Sequence, residues 1–159
     1  MDDILSKDPV QRVISALSDF DKLLKVDVLN SSAKTAKEAA TSLNCEVGAI
    51  VKSLFLRTEE NFILCLVAGD KRCSLNKVKK LLKKKDVSMA EAEQVKNQTG
   101  FSIGGVSPVA HLSKNKILID ASLSHYEHVY AAAGHPNTIF KISYKKLIKL
   151  TKGTEEDIV

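Results

Sequence analysis

Two apolar runs constrain this chain most. Ile50 to Arg57 and Asn61 to Ala68 are separated only by Thr58-Glu59-Glu60. Both have strand length, and the short polar gap predicts a hairpin. The longer candidate for anything else, Phe62 to Gly69, is far shorter than the ~18 apolar residues a membrane helix needs. No apolar run in the chain reaches that length.

Helices are predicted around the hairpin. Asp8-Pro9-Val10-Gln11 reads as a capped helix start, with Pro9 at the first helical position. Val10, Val13, Ile14, Leu17, Phe20 and Leu24 continue at helical spacing. Thr35-Ala36-Lys37-Glu38 is a second capping box, for a helix to Leu43 stopped by Asn44. Ser74 caps a third, with Leu75, Val78, Leu81 and Leu82 as its inner stripe. Ser88-Met89-Ala90-Glu91 predicts a fourth through Asn97, and Ser143 caps a last one with Leu147, Ile148 and Leu150 inward. Lys25–Leu29, Lys116–Asp120, Val129–Ala133 and Thr138–Ile142 read as strands, with Gly104-Gly105-Val106-Ser107-Pro108 as a loop between strands. The tail from Gly153 reads as loose. Helices and strands alternate irregularly, without repeats or a linker, over 159 residues. That predicts one mixed α/β or α+β domain, with residues 1–25 as an N-terminal helix appended to it.

Charge is uneven. The chain has 24 basic and 19 acidic residues, a net +5. Residues 71–85 hold eight basic residues and no acid, so the other 16 basic and 19 acidic residues leave the rest at −3. Such a block suits a phosphate-rich partner or a solvated helix face. Aromatic residues are only 5% with no Trp, which argues against a base-stacking platform. Cys45, Cys65 and Cys73 are odd in number and form no Cys-x-x-Cys pair, which argues against a disulfide framework or zinc finger and for a reduced, cytoplasmic setting. The acidic start Met1-Asp2-Asp3 is no secretory signal.

Fingerprints of dinucleotide, P-loop, zincin and nucleophile-elbow sites are absent. Two features remain. Lys52 interrupts an apolar strand and must point to water or into a polar cleft. Thr99 to Pro108 carries two adjacent glycines and a proline, a fixed loop whose N–H groups can face a ligand.

Together with Val67-Ala68-Gly69-Asp70, Leu118-Ile119-Asp120 and Ala133-Gly134-His135-Pro136, these segments occur in an order that resembles the YbaK/EbsC-like aminoacyl-tRNA deacylases. That family is related to the editing domain of bacterial prolyl-tRNA synthetase. The resemblance covers about 32–152. It implies a mixed, barrel-like β-sheet surrounded by helices, and hydrolysis in trans of the ester on a mischarged tRNA. It implies catalytic roles for Lys52, Gly104, Gly105 and Gly134, and substrate contacts from Ile103, Val106, Ser107, Pro108 and His135. The stretch 131–136 resembles the subgroup acting on small amino acids: Ala, Ser, Thr and Cys are the candidates, with tRNA-Pro a candidate acceptor.

An unperturbed lysine has a pKa of about 10.4, so Lys52 reads as a cation that steadies a phosphate or developing negative charge, not as a base. Loop N–H groups can hold an oxyanion, each donor being worth roughly 3–4 kcal/mol. His135 is the one titratable group beside Gly134. Lys79, Lys80 and Lys83 are candidate tRNA contacts. No metal or cofactor is expected. The partners expected are aminoacyl-tRNA and, as a further candidate, a synthetase, with neither a membrane nor DNA. A noncatalytic tRNA- or synthetase-binding module and a nucleotide-binding domain are the competing readings.

Overall fold

The computed structural model describes residues 3–30 and 35–159. Met1, Asp2 and Ser32, the last being the expected start of the core, lie outside the described residues. The fold is α+β. The hairpin forms as strands β2 (Val51–Thr58) and β3 (Phe62–Ala68), paired antiparallel from Val51↔Ala68 to Arg57↔Phe62. Around them stand β1 (Val26–Val28), β4 (Val87–Met89), β5 (Lys116–Asp120), β6 (His128–Ala132), β7 (Thr138–Ser143) and β8 (Thr154–Glu156). The helices are α1 (Asp8–Phe20), α2 (Ala36–Leu43), α3 (Leu75–Leu82), α4 (Ala92–Thr99) and α5 (Tyr144–Thr151).

The strands form a five-stranded sheet, β4-β2-β3-β5-β8, and a three-stranded sheet, β1-β7-β6. They meet at one bridge, Ile50 to Tyr130. The expected barrel-like sheet is therefore two sheets that do not close. β3 is buried from Ile63 to Ala68 because both of its faces are covered, which is why its sequence runs apolar instead of alternating. Val51, Phe55, Leu64 and Leu66 pack toward Val129, Ala131, Phe140 and Ile142 of the small sheet, joined by Val13 and Leu17 of α1. On the opposite face, Leu56, Ile63, Cys65, Val67 and Leu118 pack under Val78 of α3.

Local signals locate most helices. Thr35 accepts from Glu38 N–H and Asn44 closes α2 at φ 54°. Ser74 and Ser143 cap α3 and α5 through the N–H groups of Lys77 and Lys146. Five expectations need correction. Lys7, not Asp8, is the α1 N-cap, and Gln11 closes no box; its amide donates to Leu5 O. Leu24 packs on the core from beyond the end of α1. Leu81 of the supposed inner stripe is 41% exposed, because α3 has only eight residues and buries Val78 alone. Ser88 caps no helix: it lies in β4, drawn into pairing with β2, and the reciprocal cap is Glu91 with Gln94. The tail is ordered, with β8 running parallel to β5 and Ile158 fully buried.

α1 is built into the main core, with Val10, Val13 and Leu17 inaccessible to solvent. No helix among the described residues is long and apolar enough to cross a membrane.

Candidate active site

Among the described residues, β4 and the Ala90 that follows it cover the outer edge of β2 from Phe55 onward, and the bridge to β6 is at Ile50, just before β2. Between them the edge stays open, and a cavity of about 230 Å3 fills the gap. Lys52, Ser53, Ile103, Gly104, Val106 and Ala132 are among the residues lining it, with Ala36 and Ala39 of α2 on one side. Segments 50 residues apart in sequence thus converge on one small chamber.

Lys52 is half-buried and donates to Lys71 O. By strand alternation its side chain shares the α3-facing side of β2 with Leu56, and Lys52 also borders the cavity. Ser53, which the sequence reading missed, follows it. Phe55 O accepts from Ala90 N–H across the outer edge of β2. Alternate residues present their backbone groups to the same edge, so the N–H and C=O of Ser53 face the open gap. Its hydroxyl is buried and meets no hydrogen-bond partner among the described residues. Its place directly after Lys52 is the only signal that could have marked it.

The loop from Phe101 to Ala110 forms the opposing wall. Gly104 takes φ 94°, a left-handed conformation that glycine adopts without a Cβ clash. Among the described residues no protein acceptor meets the N–H of Gly104 or Val106, whereas Gly105 N–H is engaged by Ser102 O at 2.9 Å. Gly105 stands behind the wall. A Cβ there would lie 3.0 Å from the His135 backbone, so its lack of a side chain lets loops 101–110 and 133–137 touch. Gly134 makes the next close approach, at φ 99°, with a Cβ only 2.8 Å from Pro9 O. Neither Gly105 nor Gly134 lines the cavity.

Ser107 is buried behind the wall; its hydroxyl accepts from Val109 N–H, and its carbonyl meets His111 Nε2 at 2.5 Å. Burial holds His111 below the ordinary histidine range, opposed by that carbonyl. Pro108 lines a different groove of about 840 Å3, on the side of α1 and α5. His135 also stands outside the cavity lining. Its Nδ1 accepts from Asn137 N–H at 3.0 Å, and desolvation with nearby Lys7 depresses its pKa. A neutral ring whose Nδ1 accepts carries its proton on Nε2. Ile103 is 63% exposed at the mouth and Val106 only 5% exposed.

Arg12 of α1 is a second residue the sequence reading missed. Its guanidinium donates to Thr99 O at 2.9 Å and Ala110 O at 3.0 Å, and lies 4.7 Å over the Phe101 ring. It ties the two ends of the loop wall together. Nothing local foretells this, since its partners lie 87 and 98 residues away.

Cys65 and Cys73 form a thiol pair near Lys52. Their mutual hydrogen bond, first among the causes, pushes Cys65 up and Cys73 down. Lys79, Lys80 and Lys83 stand on α3 and its C-cap, outside the cavity; Lys80 and Lys83 are exposed. No cluster of three or more potential metal-ligating side chains occurs among the described residues.

The chain resembles known proteins in sequence and fold. A crystal structure of a candidate trans-editing enzyme for prolyl tRNA synthetase superposes at a TM-score of 0.91, with 38% identity, over 96% of this chain and 97% of that one. The uncharacterized protein YwhH of Bacillus subtilis (strain 168) is 30% identical over 123 residues, covering 77% of this chain and 78% of its own. The proline–tRNA ligase of Thermosipho africanus (strain TCF52B) is 31% identical over 101 residues. That match spans 64% of this chain but only 18% of the ligase. The aminoacyl-tRNA editing domain matches residues 30–150, which include every residue lining the cavity but Leu29. On that match, and on a structural likeness running nearly end to end, the chain belongs to the aminoacyl-tRNA editing domain family.

Proposed function

We propose that the protein hydrolyses the ester of a mischarged tRNA carrying a small amino acid, acting in trans to a synthetase. The observation that carries this reading is the single chamber lined by Lys52 and Ser53 and, opposite them, by Gly104 and Val106, whose N–H groups meet no protein acceptor among the described residues. Water adds to the ester carbonyl carbon. The acyl C–O bond breaks, the ribose oxygen takes a proton, and free amino acid leaves. Charge builds on the carbonyl oxygen as water adds. The N–H groups of Gly104 and Val106, both residues lining the chamber, receive it, which is the role in which fixed donors contribute most. Lys52 holds the phosphate or terminal adenosine and supports the same charge.

No protein base is needed. His135 presents Nε2–H, a donor, and the adjacent ribose hydroxyl of the substrate serves to activate water. His135 and Gly134 act by shaping the wall through Gly105. The chamber of about 230 Å3 has room for roughly seven or eight waters at ~30 Å3 each. That suits an alanyl, seryl, threonyl or cysteinyl group. Val106, Ala132 and Ile103 set the limit of size. One methylene gives a synthetase only about 1–3 kcal/mol of discrimination, which is why a second, smaller sieve is useful.

Deacylation of Ala-, Ser-, Thr-, Cys- and Pro-tRNA by wild type and Lys52→Ala tests the reading. The expected result is release of one or two small amino acids, reduced at least a hundredfold in the variant. If wild type binds tRNA yet releases none of the five, a noncatalytic binding module replaces the enzyme.

A further inference from the structure

At the far end of α3 from Lys52, a groove of about 300 Å3 is lined by Lys84, Lys114 and Lys116 over a floor of Phe62, Ile63 and Leu82. The three lysines come from two segments 30 residues apart, and no Asp or Glu lines the groove. The ion pairs among the described residues are Arg57–Asp86, Lys77–Asp157 and Lys146–Asp21, so none of the three is paired. Glu59, on the nearby hairpin turn, accepts from the N–H groups of Lys85 and Asp86 instead. Three unpaired ammonium groups around one concavity repel one another and favour an anion between them.

Lys116 pairs in register with Ile63, and Lys52 shares the face of Leu56, the Ile63 partner. Both lysines therefore stand on the face that α3 covers. They are four residues apart along β3 and two strands apart across the sheet, a separation of about 16 Å at ordinary strand spacings. α3 spans most of that gap, about 12 Å for eight residues.

We propose that the Lys84–Lys114–Lys116 groove seats a backbone phosphate of the acceptor end of the RNA substrate, with α3 bridging it to the ester site. The proposal rests on the deacylase reading for the identity of the RNA. Phosphate contacts of this kind position a substrate without reading its bases. A phosphate about 16 Å from Lys52 belongs to the last few nucleotides of the 3′ end, so a substrate cut back to the terminal aminoacyl-adenosine, which carries no phosphate, loses the contact.

The test uses the full chain carrying Lys114→Glu and Lys116→Glu, with the milder Lys114→Gln/Lys116→Gln pair beside it. Deacylation is compared on full-length aminoacyl-tRNA and on the same amino acid esterified to adenosine alone. Expected for the charge reversal is a KM for full-length tRNA raised about tenfold with kcat unchanged, and no change on aminoacyl-adenosine. The dependence of log Kd for uncharged tRNA on log salt should flatten by roughly one to two, the contribution of one or two lost phosphate contacts. The Gln pair should move both quantities the same way, by less. Unchanged KM and salt slope overturn the proposal, as does equal loss on both substrates or lysine-dependent binding of ATP without tRNA. If wild type deacylates nothing, the enzyme reading fails, and the salt slope still decides the groove.

Discussion

A single guanidinium shows how much of the site depends on one side chain. Arg12 holds Thr99 O and Ala110 O and covers the Phe101 ring. Hydrogen bonds involving a charged group contribute roughly 1.5–3 kcal/mol each. Arg12→Ala removes three such bonds, one to Thr99 O and two to Ala110 O, and leaves Ala110, already at φ 66°, without its side-chain anchor. The expected outcome is a loss of about 3 kcal/mol or more in urea unfolding, together with a fall in kcat larger than the change in KM. Arg12→Lys should recover only part of kcat, because an ammonium cannot bridge both carbonyls with a planar fork. Equal kcat in Arg12→Ala and wild type would remove Arg12 from the site's support. Lys52 and Gly104 were legible as candidates because each breaks a local pattern, a cation in an apolar strand and a glycine pair in a loop. Arg12 breaks no pattern; its partners are legible only in three dimensions.

Among the elements, the C-terminal tail departs most from its sequence. Gly153 to Val159 has no helical or alternating signal, yet Thr154–Glu156 adds a parallel strand to β5 and Ser74 N–H donates to Ile158 O at 2.7 Å. Lys77 closes it down by holding Asp157 at 3.0 Å and the carbonyl of Val159 at 2.5 Å. Ile158 is 0% exposed beneath α3. Removing a buried isoleucine side chain typically costs 2–5 kcal/mol. Ile158→Ala should therefore lower the unfolding free energy by about that amount, measured by urea denaturation; a change under about 0.5 kcal/mol would mean the tail is not part of the core. Parallel pairing escapes local reading because its partner strand is supplied by distant sequence and no turn announces it. Capped helices are the contrary case. Thr35, Ser74 and Ser143 each satisfy an N–H three residues on, so cap and helix lie in one short window.

For the whole molecule, acid is a global probe. His111 and His135 are both held below the ordinary value of 6.5, chiefly by desolvation. In the unfolded chain they take up protons near 6.5, while in the folded protein they resist until lower pH. Stability is then full above about 6.5 and declines as pH falls below it through the depressed folded values. Urea midpoints at pH 7.5, 6.5 and 5.5 should fall in that order. His111→Gln lowers stability throughout by losing the ring contacts with Phe55 and Phe101, but should flatten the pH slope. An unchanged slope would show that His111 is not kept neutral by the fold. Of the segments that meet at the chamber, 50–54, 103–106 and the turn at Pro136 were visible within site motifs, whereas the flank formed by Ala36 and Ala39 of α2 was not. By itself the sequence determined the capped helices, the central hairpin, the cationic α3 and the family. Only the tertiary structure decided that the sheet divides in two, that the edge of β2 stays open at Ser53, and that Gly105 packs behind the wall while Gly104 lines it. Those outcomes depend on which backbone groups find a partner across space, and a chain's local residue pattern does not encode the partner it leaves out.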